Sequence, residues 1–367
     1  MNGLIFGVMT GTSMDAIDVC LLEIKNGKPI NLKDFASKPM SKSLRDVFLC
    51  LLNKGPDELE KSQVASIHFS LKISKIINSI ICKHKLNRKK ILGIGVHGQT
   101  IRHNPEKSFS LQLCNPSVIS EKTKLTVISD FRSRDIAAGG EGAPLVPLFH
   151  HEIVKEYAPC AVVNIGGIAN ISIITKCKKK GTKVTKGFDI GPGNCLSDLW
   201  CQDNFKKPYD KNGDVAREGK LNKELLNEML LDPYFGKKSP KSTGLGYFNR
   251  SWLNRKLQCI QKRTFKKNIQ STLIELTAFT IANSIPKFCK SVYICGGGAK
   301  NSYLVERIEH FSHCKVYSTD VIGWDPQSIE SACFAWLASK TLDNEKLDLR
   351  LITGSKKPVK LGNITFY

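Results

Sequence analysis

Apolar residues along this chain fall into short unbroken runs separated by glycine-rich turns, and into longer stretches with helical spacing. Residues 3–9 are apolar, Thr10-Gly11-Thr12-Ser13-Met14-Asp15 is a polar glycine turn, and 16–24 are apolar again, which predicts strand, turn, strand. Asn26-Gly27 is a hairpin signal that should launch a third strand near 29–35. Residues 41–52 and 58–85 carry the 3.6-residue period and predict two helices, the second a long one. Residues 91–97 read as a buried strand ending in His97-Gly98-Gln99-Thr100, 108–113 and 125–128 as short strands, and 130–144 show no regular pattern.

A second cycle then begins. Residues 160–165 predict a strand, Gly166-Gly167-Ile168-Ala169-Asn170 a turn, and 171–174 a strand, with the Lys-rich 176–186 as an exposed hairpin tip. Phe188-Asp189-Ile190-Gly191-Pro192-Gly193-Asn194 leads into a helix from Cys195, and 272–289 carry a long helical pattern. Residues 292–295 predict a strand that enters Gly296-Gly297-Gly298 and a helix from Tyr303, and 330–340 predict the last helix. The strand–turn–strand unit thus occurs twice, which predicts two similar α/β lobes with a cleft between them.

Composition narrows the function. The 367 residues are 41% apolar and 24% charged, enough for a sizeable core and unlike a disordered tail. No uninterrupted apolar run approaches about 18 residues, and residues 1–24 do not read as a signal peptide. The net charge of +22 would suit nucleic acid, but 44 Lys stand against 11 Arg, the lysines are scattered, and no aromatics interleave them. A solvated surface, or an anionic small-molecule substrate, fits this pattern better. Thirteen cysteines show no Cys-x-x-Cys or zinc spacing, and Cys20, Cys160, Cys295 and Cys333 lie in apolar runs, so a reducing cytoplasm is expected.

The glycine turns carry the candidate chemistry. A turn between two strands can aim backbone N–H groups at an anion, and Thr12, Ser13 and Asp15 add hydroxyls and a carboxylate. Gly296-Gly297-Gly298 before a helix allows close approach of a phosphate or an adenosine face. P-loop, dinucleotide and protein-kinase signatures are absent. Asp189, before a glycine–proline turn, is placed to serve as a general base, although a turn or capping role would use the same residue type. His97 stands at a strand end, Arg132 and Arg134 lie in an irregular loop, and Glu330 opens a helix, where it could simply complement the dipole.

Taken in order, these segments resemble one family. Gly7 to Asp18, His97-Gly98-Gln99-Thr100, Asp130 to Gly140, Gly142 to Pro147, Asn164 to Asn170, Gly187 to Asn194, Ser242-Thr243-Gly244, Cys295 to Gly298 and Phe334 to Ala338 are similar to the anhydro-N-acetylmuramic acid kinases over essentially the whole chain. The chain departs from the family at Ala16, where Gly is usual, and at Ile190, where Thr is usual; Met9 stands where many members of the wider superfamily carry Asp.

The resemblance implies an α/β fold of two similar lobes of ribonuclease-H-like type with a nucleotide/sugar cleft between them. The expected first lobe is 1–134 plus about 330–367, and the second about 135–329. It implies ATP and Mg²⁺ as cofactors and ATP-dependent ring opening and 6-phosphorylation of 1,6-anhydro-N-acetylmuramic acid, in recycling of the bacterial cell wall. Gly11, Thr12, Ser13, Met14, Asp15, Ala16, Ile17 and Asp18 would hold the nucleotide with Gly166, Gly167, Asn170, Gly296, Gly297 and Gly298. Asp189 would be the catalytic base, and His97, Gln99, Arg132 and Glu330 would contact the sugar; metal ligands are not assigned. The expected partners are sugar and ATP, with neither nucleic acid nor membrane, and a homodimer is left open. A kinase with a free-hydroxyl acceptor, or a chaperone or filament ATPase of the same fold, remain as alternatives.

Overall fold

The computed structural model describes all residues except 12, 178–180, 240 and 261–263. Its strands, in chain order, are β1 (Gly3–Met9), β2 (Ala16–Lys25), β3 (Lys28–Pro39), β4 (Ile91–Val96), β5 (Gln99–Asn104), β6 (Phe109–Leu113), β7 (Val127–Ser129), β8 (Cys160–Ile165), β9 (Ile168–Cys177), β10 (Gly181–Pro192), β11 (Ser291–Cys295), β12 (Lys315–Ser318) and β13 (Asn363–Thr365). The chain divides into two compact units, Met1–Glu152 with Ser328–Tyr367, and Ile153–Gln327.

The first unit holds a sheet of order β13-β7-β4-β1-β2-β3, and the second a sheet of order β10-β9-β8-β11-β12. In each, three antiparallel strands joined by hairpins are followed by two parallel strands: β1–β2–β3 with β4 and β7, and β8–β9–β10 with β11 and β12. The duplicated strand–turn–strand unit is therefore a duplicated ribonuclease-H-like sheet. Hairpins need only tight turns, whereas each parallel strand needs a crossover segment, which is where the helices lie. At the β2–β3 hairpin, Asn26 and Gly27 both take positive φ, the geometry this turn requires.

In the first unit, the helix Ile329–Leu342 is buried on nearly every side. It rests directly on the sheet because β1 and β4 present Gly7 and Gly95: a methyl at either would overlap the carbonyl of Ser331 or Phe334. This fit aims the helix N-terminus at the ends of β1 and β4. The helix Glu58–Lys83 is long and apolar enough to cross a membrane by length and composition, yet it buries Phe69, Ile73, Ile77 and Ile81 in the first unit's core. Phe48 meets Phe69 edge to face at 5.6 Å there.

Several elements differ from the pattern-based expectation. The pattern over 272–289 forms a helix over Lys266–Ser284 that stops early, because Pro286 disfavours helical backbone at the residue before it. The loop at 130–144 contains the short helix Ser133–Ala137, and β5 follows His97-Gly98 directly. Within the tip at 176–186, residues 178–180 lie outside the described ones, while Lys176, Lys183 and Lys186 are exposed. Helices Lys223–Leu230, Pro233–Gly236 and Arg250–Gln258, which no pattern announced, help build a further core around Tyr234, Phe248 and Trp252, and the equally unannounced Asp214–Arg217 adds Ala216 to the main core of the second unit. Ala16 opens β2, and Ile190 is buried in the second unit's core, so the position where the family usually has Thr is apolar here.

Candidate functional site

In the first unit the turn between β1 and β2 is held by its own backbone. Met14 N–H donates to the Gly11 carbonyl at 3.2 Å, and Met40 N–H to the Asp15 carbonyl at 2.8 Å. Met14 takes a left-handed φ of 54° with its side chain buried, a conformation costing about 1–3 kcal/mol that packing must offset. That anchor leaves Ser13 and Asp15 exposed, with Ser13 Oγ donating to Asp15 Oδ1 at 2.6 Å. Ile17 points into the core, and Asp18 lies opposite Met9 in the hairpin.

Beside this turn, Gln99 is fully buried. Its Nε2 reaches the carbonyls of Gly11 and Thr100 at 3.5 and 3.3 Å, and its Oε1 has no hydrogen-bond partner among the described residues. His97, buried at the end of β4, accepts from Arg132. Burial, and then the Arg132 charge, hold its pKa well below the usual histidine value. Glu330 sits in the first turn of the helix Ile329–Leu342; it and Arg132 act with opposite sign on the Cys333 thiol, which burial pushes up above its ordinary value. The first unit thus brings the turn, His97, Gln99, Arg132 and Glu330 to one edge of its sheet. Arg134 is exposed and lines a separate groove with Lys346, Lys357 and Lys360.

In the second unit, register sets the site. Asn164, Asn170 and Asp189 lie opposite one another across β8, β9 and β10, so their side chains share one face of the sheet. Asn170 Oδ1 is buried without a hydrogen-bond partner among the described residues. Thr243 N–H donates to Asp189 Oδ2 at 3.0 Å, Asp189 N–H donates to the Lys241 carbonyl at 3.1 Å, and Tyr234 Oη donates to the Asp189 carbonyl at 2.7 Å. Asp189 is thereby fixed on both backbone and side chain.

The turn Gly166-Gly167 is bound to the segment that follows Asp189. Gly193 and Cys195 N–H donate to the Gly167 carbonyl, and Asn194 N–H to that of Gly166, at 2.9, 3.2 and 2.9 Å. Gly166 spends its own N–H on the Ile168 carbonyl at 3.3 Å. Gly296 and Gly298 pack against the end of β8 where a methyl would overlap Asn164 or Ile165, while Gly297 has open space with Asn194 Nδ2 nearest, at 3.9 Å. Gly166, Gly167, Asn170, Asp189 and Gly296–Gly298 therefore gather at one edge of the second sheet.

Sequence reasoning missed Tyr234 and Lys241, and placed Thr243 only within a resemblance. They reach Asp189 from 45 to 54 positions away, and the one signal for them was the Ser242-Thr243-Gly244 segment itself.

A family model described as anhydro-N-acetylmuramic acid kinase matches residues 3–367. Proteins named anhydro-N-acetylmuramic acid kinase are similar over their full length. The one from Pseudomonas fluorescens (strain Pf0-1) is 41% identical over 98% of this chain and 99% of its own. Those from Paraburkholderia xenovorans (strain LB400) and Acinetobacter baylyi are 37% and 39% identical, covering 99% and 100% of this chain and 98% and 100% of theirs. With the expected residues gathered at two sheet edges and the match running from end to end, the chain belongs to the anhydro-N-acetylmuramic acid kinase family.

Proposed function

We propose that this kinase opens the 1,6-anhydro bridge of anhydro-N-acetylmuramic acid with water and transfers the γ-phosphoryl of ATP to the released O6. Asp189 takes a proton from water as the water oxygen bonds to C1. The C1–O6 bond breaks, and O6 accepts the phosphoryl group as ADP departs. Ring opening creates the nucleophile where the phosphate waits, a proximity gain that a bimolecular reaction lacks. Little covalent help is needed for phosphoryl transfer; positioning and charge neutralisation carry it.

Residues of both units take part in this reading. Gly11–Asp18, Gly166, Gly167, Asn170 and Gly296–Gly298 hold the nucleotide, and His97, Gln99, Arg132 and Glu330 hold the sugar. The buried, unpartnered Oδ1 of Asn170 and Oε1 of Gln99 suit a polar ligand, since such acceptors are costly when left empty. Among the described residues no three His, Cys, Asp or Glu side chains cluster. A Mg²⁺ carried on phosphate oxygens needs one or two carboxylates, for which the exposed Asp15 and the half-buried Asp189 are the candidates. When bound, the ion neutralises phosphate charge. The lysine-rich surface is solvated in this reading, and the setting is the cytoplasm.

The observation that supports it most is Asp189 itself: a carboxylate fixed by Thr243, sharing a sheet face with Asn170 beside the Gly166-Gly167 turn. The test is ADP release, which should depend on the anhydro sugar. In oxygen-labelled water, label should enter C1 of the product and stay out of the phosphate. Label in the phosphate would mean that water attacks phosphorus rather than C1, whereas no label at C1, or equal turnover with a free-hydroxyl sugar, would point to a simple hydroxyl-acceptor kinase.

A further inference from the structure

The second unit carries a cavity of about 620 Å³ that none of the assigned roles uses. Phe188, Phe235 and Phe288 form apolar walls, and Lys186, Lys237 and Lys241 line it with ammonium groups. Among the described residues no carboxylate lines it. Its size falls within the roughly 300–1,000 Å³ of small-molecule sites.

The cavity opens on the other face of β10 from the Asp189 side chain, although Lys241, which lines it, accepts from Asp189 N–H through its carbonyl. Phe188 and Asp189 are neighbours in β10 and so face opposite sides of the sheet. Lys186 and Phe188 pair with Ile173 and Ile171, on the side covered by the helix Lys266–Ser284, whereas Asp189 pairs with Asn170 on the other side. The lining residues then run down the β9–β10 hairpin, away from the Gly166-Gly167 turn.

Three features define what would fit. Lys241 is partly buried, and its ammonium lies 4.6 Å from the Tyr234 ring centroid and 6.0 Å from that of Phe188. Burial, with the Lys237 charge, lowers its pKa, while Asp189 opposes that shift. Phe288 keeps 53% of its surface exposed at the rim, a few residues past the helix end at Ser284. Cations gathered over aromatic walls without a carboxylate leave a neutral sugar or a cation poorly served, and reward an anion with a flat apolar body.

We propose that this cavity is a second binding site, for an amphipathic anion: one carboxylate, sulfonate or phosphate on a planar apolar body. The proposal does not rest on the reaction assigned above. The probe is 1-anilinonaphthalene-8-sulfonate, titrated by fluorescence against the full chain. One-to-one saturable binding is expected. Lys237→Glu and Phe288→Glu should each weaken it at least tenfold, while Phe265→Glu, at a still more exposed aromatic outside the cavity, should stay within twofold. Saturating ATP should not displace the probe. Circular dichroism and a cooperative melt accompany each variant, and Lys186→Glu replaces any that fails to fold. Absence of saturable binding, affinities within twofold in the cavity variants, or displacement by ATP would overturn the proposal.

Discussion

Arg132 donates through Nε and Nη2 to one atom, Nε2 of His97, at 3.1 and 2.8 Å, while its Nη1 donates to the Gly142 carbonyl at 2.6 Å. An acceptor Nε2 places the imidazole proton on Nδ1, so His97 is a neutral ring of one tautomer. The Phe334 ring, 4.6 Å away, packs against it. The guanidinium thus holds a histidine and a loop together at the sheet edge where the sugar is expected to bind.

Arg132→Lys should raise the KM for the anhydro sugar about tenfold, with the KM for ATP within threefold. A single ammonium cannot reproduce the planar fork that serves both partners. His97→Gln should act in the same direction, and the double variant should cost less than both effects added, because the two residues form one unit. Additive losses would separate them.

Asp189→Asn should lower turnover by about 10²–10⁴-fold, the usual contribution of a general base, and leave nucleotide affinity within a few-fold. The amide still accepts from Thr243 N–H but takes no proton from water. Near-normal turnover would remove the base assignment.

Asp232 accepts from Trp252 Nε1 and Tyr247 Oη at 2.7 Å each and from Tyr234 N–H at 2.9 Å, and so anchors the segment that reaches Asp189. Asp232→Ala should destabilise the fold by about 1–3 kcal/mol, the penalty for buried donors losing their acceptor. It should also depress activity through Tyr234. Urea melts and turnover at a temperature where the variant remains folded would separate the two effects.

Gly7→Ala should cost at least about 1–3 kcal/mol, because the added methyl forces the helix Ile329–Leu342 off β1. Gly236→Ala, with open space around it, should have no comparable effect on the thermal midpoint.

Stability should fall as pH drops from about 7 to 5. Burial, together with the Arg132 charge, holds His97 well below its usual range and His103 at about 4, and burial alone holds His150 at about 3. The unfolded chain protonates these rings near pH 6.5 while the folded chain does not, so the unfolded state gains protons first. At lower pH, Asp34 and Asp232 continue the trend. Burial raises both, but Lys83 and His84 on the first, and Trp252, the Tyr234 N–H and Tyr247 on the second, bring them net below the usual carboxylate range. Asp135, which burial raises despite its hydrogen bonds, acts with the opposite sign. The urea midpoint at pH 7.5 and 5.5 checks this; a midpoint that rises on acidification would refute it.

Local chemistry was legible in the chain by itself. Both hairpins, the strands that flank the glycine turns and the helix over Ile329–Leu342 follow from period-2 and period-3.6 patterns and from turn residues, all of which act within a few positions. The same reading flagged His97, Asp189 and Glu330 at a strand end, a turn and a helix start and Arg132 in an irregular loop, and the resemblance added Gln99. Tertiary structure alone decided which distant residues meet them. Thr243 and Tyr234 come to Asp189, Gly7 and Gly95 make room for a helix from the far end of the chain, and Phe288 and Lys237 share a cavity. No local pattern carries these pairings, since they depend on how whole elements pack once their backbone donors and acceptors are satisfied.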